Sequence, residues 1–185
     1  EILTHIAFYA GWPNAWAAFN MAKEVYVEDG TDGTIGEGSA GDTAGSGSPE
    51  SHGGFFGLGK PNDAFAQYII GQSYLNALTG PDDYLAIFNV TFEPGCRNNW
   101  HIHHASKGGG QVLVCVEGEG WYQEEGKPAE RLRPGDVVEI PANVKHWHGA
   151  ASDSWFSHLA FEYPGEDASS EWLEPVDDAA YNALS

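Results

Sequence analysis

Histidine is concentrated in one half of this 185-residue chain, in two short clusters. The clusters are Trp100–His104 and His146–His148, and together they hold five of the eight histidines. Successive side chains of an extended strand point to opposite faces, so residues two apart share a face and can bind one ion together. His101 and His103 form such a pair, and the two histidines of the second cluster form another. These spacings predict a divalent metal site built from two strands.

A glutamine supplies the oxygen donor that such a site needs. Gln111 opens the strand that follows three consecutive glycines, where the chain can double back toward the first histidine pair. Three imidazoles and one oxygen suit a divalent transition metal and leave room for water or substrate. Because an amide replaces a carboxylate, the site is one negative charge short and the ion keeps more Lewis acidity. The predicted ligands are His101, His103, Gln111 and His146.

Acidic residues dominate the charge of the chain. It has 8 Lys and Arg against 27 Asp and Glu, a formal net charge of −19. Such a surface repels phosphate backbones and anionic lipids, which argues against nucleic acid and membrane partners. No apolar run approaches the length of a membrane span and no signal peptide is visible, so a cytoplasmic location is expected. Two cysteines, Cys96 and Cys115, are too few for a disulfide framework and fit a reducing compartment.

The apolar pattern divides the chain into three parts. Residues 1–27 repeat apolar side chains at helical spacing around Gly11 and are predicted to form a helical hairpin. Residues 28–63 are predicted to be a mobile linker, because Gly, Ser, Asp and Glu bury too little apolar area to offset the ordering entropy. Residues 64–185 carry a β pattern followed by an acidic tail. The sequence begins at Glu1 and not at a methionine, so a preceding segment of the protein remains an open alternative.

Short β runs separated by Gly and Pro turns fill residues 64–163. They predict a mainly β fold, a sandwich or a barrel, because many short strands without intervening helices bury their apolar faces in that way. A short helix with an Asp cap is expected over residues 177–184. The predicted strands lie near residues 65–70, 73–78, 84–92, 99–104, 111–117, 119–124, 136–140, 144–149 and 154–162.

The histidine and glycine spacings resemble the two motifs of the cupin superfamily. The resemblance spans residues 64–163, and it departs from the usual motifs at Gln111, where cupins carry Glu, at Asn143 and at Ala150. It implies a double-stranded β-helix (jelly-roll) barrel, preceded here by the helical hairpin. The residues that carry it are Gly95, His101, His103, Gln111 and Gly118 in the first motif, and Gly135, Pro141, Val144 and His146 in the second.

Within that superfamily, residues 90–97 and 145–151 are similar to small single-domain bacterial cupins, among them manganese-dependent hydroxynitrile lyases. Those lyases also carry Gln in place of the motif Glu, so Gln111 is a matching position. The resemblance implies a divalent transition metal, with manganese favoured over zinc, iron or nickel. It also implies that His158 lines the pocket as a proton-transfer residue. His148 shares the face of His146, and contact with substrate and support of a ligand are equally open to it.

The expected chemistry is that of a lyase or isomerase. The metal would act as a Lewis acid on an oxygen of a small organic substrate, while His158 or His148 moves the proton. Two alternatives remain open: a metal-dependent dioxygenase, and a non-catalytic barrel that binds a small ligand or a metal. Alternation along the strands predicts a substrate pocket lined by Phe88, Val90, Phe156 and Glu162.

The N-terminal residues carry a separate resemblance. His5–Pro13 and the Ala-rich stretch after it are similar to the closing helices of the carboxymuconolactone decarboxylase family. Only residues 1–27 match, so decarboxylase activity is not assigned. In the non-catalytic alternative, the barrel is a ligand-binding or metal-binding module of an oligomeric protein of that kind. Cupins commonly dimerise and the apolar helices need a surface to cover, so a homo-oligomer, a dimer or larger, is expected.

Overall fold

The computed structural model of the protein describes residues 48–184. The helical hairpin expected over residues 1–27 and most of the linker lie outside this range. Within it, no helix is long and apolar enough to cross a membrane.

The described residues form fifteen strands, three short 3-10 helices and one α-helix. The α-helix, α1, is Asp178–Asn182. The 3-10 helices are Pro49–Ser51, Gly54–Phe56 and Asp63–Tyr68. The strands are β1 (Lys60–Pro61), β2 (Ile69–Ile70), β3 (Ser73–Ala77), β4 (Ala86–Phe92), β5 (Arg97–Asn98), β6 (His101–His104), β7 (Lys107–Gly108), β8 (Gln111–Gly118), β9 (Gly120–Glu124), β10 (Glu130–Leu132), β11 (Val137–Ile140), β12 (Lys145–Ala150), β13 (Phe156–Glu162), β14 (Gly165–Glu166) and β15 (Ser169–Trp172).

Two antiparallel sheets carry the fold. The first has six strands in the order β1-β3-β4-β13-β8-β11, and the second runs β10-β9-β12-β5-β2, with β6 pairing both β12 and β15. A small third sheet joins β14 to β7. The apolar core lies between the sheets and includes Phe92, Leu113, Ile140 and Phe156, each at most 1% exposed. Burial of these alternating apolar side chains is the main force that closes the two sheets on each other.

The predicted strands agree with this arrangement in all but the first case. Residues 65–70 were expected to form a strand, but the chain makes a 3-10 helix over Asp63–Tyr68 and only the last two residues pair as β2. Its turn begins where the Phe65 amide donates to the Asn62 carbonyl oxygen at 3.2 Å. Local backbone bonds of this kind compete with the sheet ladder, and the apolar composition of the segment did not reveal them.

Gly118 makes the turn from β8 into β9. Its φ of +69° lies in the left-handed region, and a Cβ built there would stand 1.7 Å from the Trp155 carbonyl oxygen. Only glycine fits such a close approach of two backbones. Because Gly118 has no side chain, the end of β8 can lie directly beside the start of β13, where Gly118 pairs with Phe156.

The residues that precede the barrel are packed on it. The sequence pattern predicted a linker as far as residue 63, yet Lys60–Pro61 pair with β3 and so extend the sheet. Glu117 holds the segment before them, accepting from His52 Nδ1 and from the amides of Gly53 and Gly54, each at 2.7 Å. The ring of His52 also stacks on Trp155 at a centroid distance of 4.0 Å. A few polar contacts thus fix a stretch whose own composition offers little apolar area.

The C-terminal tail also returns to the barrel. Its strand β15 pairs with β6, and the helix α1 follows, capped by Asp177, whose side chain accepts from the Ala180 amide at 2.9 Å. The buried Arg97 guanidinium lies 4.2 Å from the centre of the Tyr181 ring, and the Tyr181 hydroxyl donates to the Ala150 carbonyl oxygen at 2.6 Å. The tail is therefore part of the folded unit.

Candidate metal centre

Strands β6 and β12 bring the two histidine clusters together. They pair antiparallel with His146 directly opposite His101, so the register sets one histidine pair beside the other. His103 and His148 lie two residues further along their strands and share the same inward face. The alternation that the sequence suggested thus gathers all four imidazoles in one cluster.

The rings lie close enough to share one ion. Ring centroids are 4.1 Å apart for His101 and His146, 5.1 Å for His101 and His103, and 5.6 Å for His103 and His146. His148 is also near, at 5.6 Å from His101 and 6.1 Å from His146. One ring nitrogen from each of His101, His146 and His148 comes within 4.8 Å of the other two. His148, predicted as an acid or base, therefore also lies close enough to His101 and His146 to share an ion with them.

Gln111 reaches the same region from β8. It follows Gly110, whose φ is +96° and where an added Cβ would stand 2.5 Å from the Ile140 carbonyl oxygen. Only glycine allows this turn, and the turn aims the next side chain inward. Gln111 is 5% exposed and lines the same cavity as His101 and His103.

Three of the four predicted ligand side chains have a buried polar atom without a hydrogen bond. The atoms are Nε2 of His103, Nε2 of His146 and Oε1 of Gln111, and none has a partner among the described residues. A buried polar atom left unsatisfied costs about 1–3 kcal/mol. Two nitrogens and one oxygen, all neutral and all in need of a partner, are the donor set that a divalent transition metal accepts. The residues present therefore fit a bound metal.

Hydrogen bonds to the other ring nitrogen set the orientation of each imidazole. His101 Nδ1 donates to the Asn99 carbonyl oxygen at 3.0 Å, and His146 Nδ1 donates to the Val144 carbonyl oxygen at 3.0 Å. His103 Nδ1 lies 3.3 Å from the Ser170 hydroxyl oxygen. Because a carbonyl oxygen only accepts, Nδ1 of His101 and of His146 carries the proton and Nε2 keeps its lone pair.

Burial keeps these imidazoles neutral. The loss of hydration holds the pKa of His101 well below its ordinary value, and the neighbouring imidazoles of His146 and His103 lower it further. Burial also lowers the pKa of His146 to about 4 and lowers that of His103, where the Glu162 carboxylate opposes it. A neutral imidazole is the form that binds a metal, so at neutral pH no proton has to leave first.

The cavity beside these side chains has a volume of about 290 Å³. Three of the four predicted pocket residues line it: Phe88, Val90 and Glu162. Phe156 does not. It is fully buried and lies four residues before Ala160 on β13, about 13 Å further along the strand at ~3.3 Å per residue. Alternation shows which face of β13 a side chain lies on, but it does not show how far along the strand the cavity extends.

His158 lies on the same face of β13 as Ala160 and Glu162 but is fully buried and does not line the cavity. It was expected to line the pocket, yet the lining includes His148 and not His158. Its ring meets that of His148 edge to face at 4.8 Å and stacks on Phe156 at 5.0 Å. Burial lowers the pKa of His158 to about 3. His148 alone of the two faces the space where a substrate would bind.

Comparison with known proteins now identifies the barrel. A family model described as a cupin domain matches residues 88–159. The chain is also 43% identical over 93 residues to an (R)-mandelonitrile lyase from Granulicella tundricola, a match that covers 50% of this chain and 68% of that protein. The chain belongs to the cupin family. A cupin-like protein from Thermotoga maritima has the same fold, with a TM-score of 0.63 and 35% identity over 71% of this chain and 96% of that one. The predicted mainly β cupin barrel is thereby confirmed.

The cavity lining also includes residues that the sequence did not suggest, and two of them touch the predicted ligands. Ser170 and Trp172 lie on β15, line the cavity, and follow the acidic stretch that was assigned to a tail. The Trp172 ring stacks on His101 with centroids 4.8 Å apart, and on Tyr68, also at 4.8 Å. The alternation of Ser170 and Trp172 was a usable signal, but charged neighbours hid it because they depress strand propensity.

Proposed function

We propose that this cupin is a metal-dependent lyase that acts on a small organic substrate. His101, His103, His146 and Gln111 would hold a divalent transition metal at the inner end of the cavity. The observation that carries the proposal is the set of buried Nε2 and Oε1 atoms without hydrogen bonds beside an apolar cavity. The relative from Granulicella tundricola, a mandelonitrile lyase by name, supports lyase chemistry.

This ligand set is favoured over one that contains His148. The centroids of His101, His103 and His146 form the smaller triangle, with a longest side of 5.6 Å against 6.1 Å when His148 replaces His103. His148 Nε2 also accepts from the Asn98 amide at 3.1 Å, so its lone pair is already engaged. The Nε2 atoms of His103 and His146 have no such partner among the described residues.

Manganese is the ion that we propose. The amide oxygen of Gln111 is a ligand type that suits manganese, and the resemblance to manganese-dependent hydroxynitrile lyases favours this ion over zinc, iron or nickel. When bound, the ion supplies Lewis acidity to an oxygen of the substrate, undiminished by any negatively charged ligand.

His148 is the residue that we propose moves the proton. It is 4% exposed, faces the cavity, and is held by Asn98, which donates to its ring and accepts from its amide at 3.0 Å. Burial holds the pKa of His148 well below its ordinary value, so the imidazole is neutral, and Nε2 can accept a proton once it gives up the hydrogen bond from Asn98. In cyanohydrin cleavage it would take the hydroxyl proton as the bond from carbon to cyanide breaks, and return that proton to the departing cyanide. The products are an aldehyde and hydrogen cyanide.

The cavity walls favour an apolar substituent on the substrate. Aromatic and aliphatic side chains form half of the lining, among them Phe65, Phe88, Phe92 and Trp172. At about 290 Å³ the space is close to the lower end of typical small-molecule pockets, about 300 Å³. We therefore propose an aryl cyanohydrin as the substrate class, with mandelonitrile as the probe.

The test is turnover of mandelonitrile by the manganese-loaded protein, followed as benzaldehyde release. We expect saturable cleavage in the wild type and loss to background in His101→Ala, with His104→Ala as the matched control. His104 lies on the same strand but points outward, where it contacts Glu171 at 2.7 Å. The proposal is overturned if the loaded wild type leaves mandelonitrile intact, or if His101→Ala cleaves it as fast as His104→Ala. Oxygen uptake by iron-loaded protein would instead support the dioxygenase alternative.

A further inference from the structure

We infer that the C-terminal strand β15 is a positioning element for the metal-binding histidines of β6. It begins at Ser169, ten residues beyond residue 159, where the match to the cupin family model ends. The inference rests on the metal site proposed above and not on the lyase chemistry assigned to it.

Register and alternation place the two strands in contact on the inner face. Ser170 pairs with His103, and Trp172 pairs with His101. Ser169 and Glu171 occupy the alternate positions and point outward, where Glu171 contacts His104. Every second residue of β15 therefore meets one of the two imidazoles of β6 that we assign to the metal.

Ser170 acts on the ring orientation of His103. Its hydroxyl oxygen lies 3.3 Å from Nδ1, while Nε2 of the same ring is buried and has no hydrogen-bond partner among the described residues. If Nδ1 donates to this hydroxyl, the lone pair is on Nε2, which is directed into the site. Groups that hold the outer nitrogen of a ligand histidine in this way set both its tautomer and its basicity.

Trp172 and the residue after it act on His101. The indole stacks on the imidazole at a centroid distance of 4.8 Å and an interplanar angle of 27°, which removes its freedom to tilt away from His146. Leu173 accepts from the Asn99 side-chain amide at 3.1 Å, and the Asn99 carbonyl oxygen accepts from His101 Nδ1 at 3.0 Å. The strand thus holds His101 by its face and, through Asn99, by its outer nitrogen.

A second layer of contacts keeps β15 in place. Leu173 donates its amide to the Trp100 carbonyl oxygen at 2.8 Å, and the Trp100 amide donates to the Glu174 carbonyl oxygen at 3.0 Å. Trp172 also stacks on Tyr68 with an interplanar angle of 5°. The indole of Trp172 therefore packs against both Tyr68 and His101, and each contact supports the other.

The test compares manganese affinity among variants of β15, measured by electron paramagnetic resonance of free Mn²⁺. We expect Trp172→Ala to weaken binding about tenfold, Ser170→Ala to weaken it about threefold, and Trp172→Phe to stay close to the wild type, since it keeps an aromatic face on His101. Ser169→Ala is the matched control, because that side chain lies on the same strand but points outward. The melting temperature of each metal-free variant separates loss of positioning from loss of fold.

A second readout does not depend on metal. The ¹⁵N imidazole shifts of the metal-free protein report the tautomers of His101 and His103. We expect both rings to carry the proton on Nδ1 in the wild type, and His103 to become a mixture in Ser170→Ala. The inference is overturned if Ser170→Ala binds manganese as tightly as Ser169→Ala and Trp172→Ala stays within about twofold of the wild type. If the protein binds no metal, it is overturned if the tautomer of His103 is unchanged in Ser170→Ala. Failure of the lyase assay alone leaves both readouts intact.

Discussion

The rings of His148 and His158 meet edge to face with their centroids 4.8 Å apart. His148 lines the cavity, whereas His158 is fully buried, and neither of its ring nitrogens has a hydrogen-bond partner among the described residues. A substrate in the cavity could therefore contact His148 but not His158. The proton-transfer role that the sequence assigned to either histidine falls, in our proposal, to His148.

This division predicts different kinetic effects at the two positions. Replacement of His148 by Gln removes the proton acceptor, so we expect kcat for mandelonitrile to fall about 100-fold at unchanged metal content. His158→Leu keeps a side chain of similar volume at this buried position, and we expect kcat to fall less than about tenfold. Steady-state kinetics with metal analysis checks both values. An equal loss in the two variants would contradict the assignment.

The buried His158 also predicts a loss of stability in acid. Burial lowers its pKa in the folded protein to about 3, while the unfolded chain has a pKa of ~6.5. Between these values the unfolded chain binds the additional proton, so the free energy of unfolding decreases as the pH falls from about 6.5 toward 3. His158 alone removes about 2 kcal/mol by pH 5.

Urea unfolding of the metal-free protein at pH 7.5 and pH 5 measures this effect. We expect the difference between the two pH values to be smaller by about 2 kcal/mol in His158→Leu than in the wild type. The other buried imidazoles leave a residual dependence of the same sign in both proteins. An identical difference in the two proteins would show that folding does not lower the pKa of His158.

Glu117 predicts how the segment before the barrel is held. Its carboxylate accepts from His52 and from two backbone amides, so Glu117→Ala should release residues 52–54 and lower the free energy of unfolding by about 2 kcal/mol. Hydrogen exchange at those amides should become faster than in the wild type. Glu130→Ala, at an exposed strand position, serves as the control. Protection that persists in Glu117→Ala would refute the anchor.

The turn at Gly118 predicts a larger effect than positive φ alone. Gly118→Ala would bring a methyl group against the Trp155 carbonyl oxygen, whereas Gly126 has a φ of +79° and open space around it. We expect Gly126→Ala to cost about 1 kcal/mol and Gly118→Ala more than about 3 kcal/mol. Denaturant unfolding of both variants checks this ranking. Equal losses would mean that the β8 to β9 turn can relax.

Local patterns predicted the fold and part of the site from the sequence. Period-two alternation in HIHH and HWH placed the histidines on one face, and the glycines before Gln111 placed its side chain with them, because these signals depend only on strand geometry. Asp177 was correctly expected to cap the C-terminal helix, since capping is also local. The 3-10 helix over Asp63–Tyr68 was missed because its local backbone bonds leave no mark in the apolar composition. The packing of His52 could not be predicted, because it depends on Trp155 and Glu117, which are distant in the chain.

Depth and sequence distance account for the remaining misses. Phe156 and Glu162 share a face of β13, but only Glu162 reaches the cavity, and alternation does not distinguish the two ends of a strand. Trp172 meets His101 across a pairing of two strands that are far apart in the chain. No local signal in the acidic tail indicates which strand it will join.

The central claim is that His101, His103, Gln111 and His146 hold one divalent metal ion. Metal analysis by inductively coupled plasma mass spectrometry, on protein purified without chelator, tests it most directly. We expect about one manganese or other divalent transition metal per chain, with loss of the metal in His101→Ala and retention in His104→Ala. Less than about 0.2 metal per chain in the wild type, even after incubation with manganese, would contradict it.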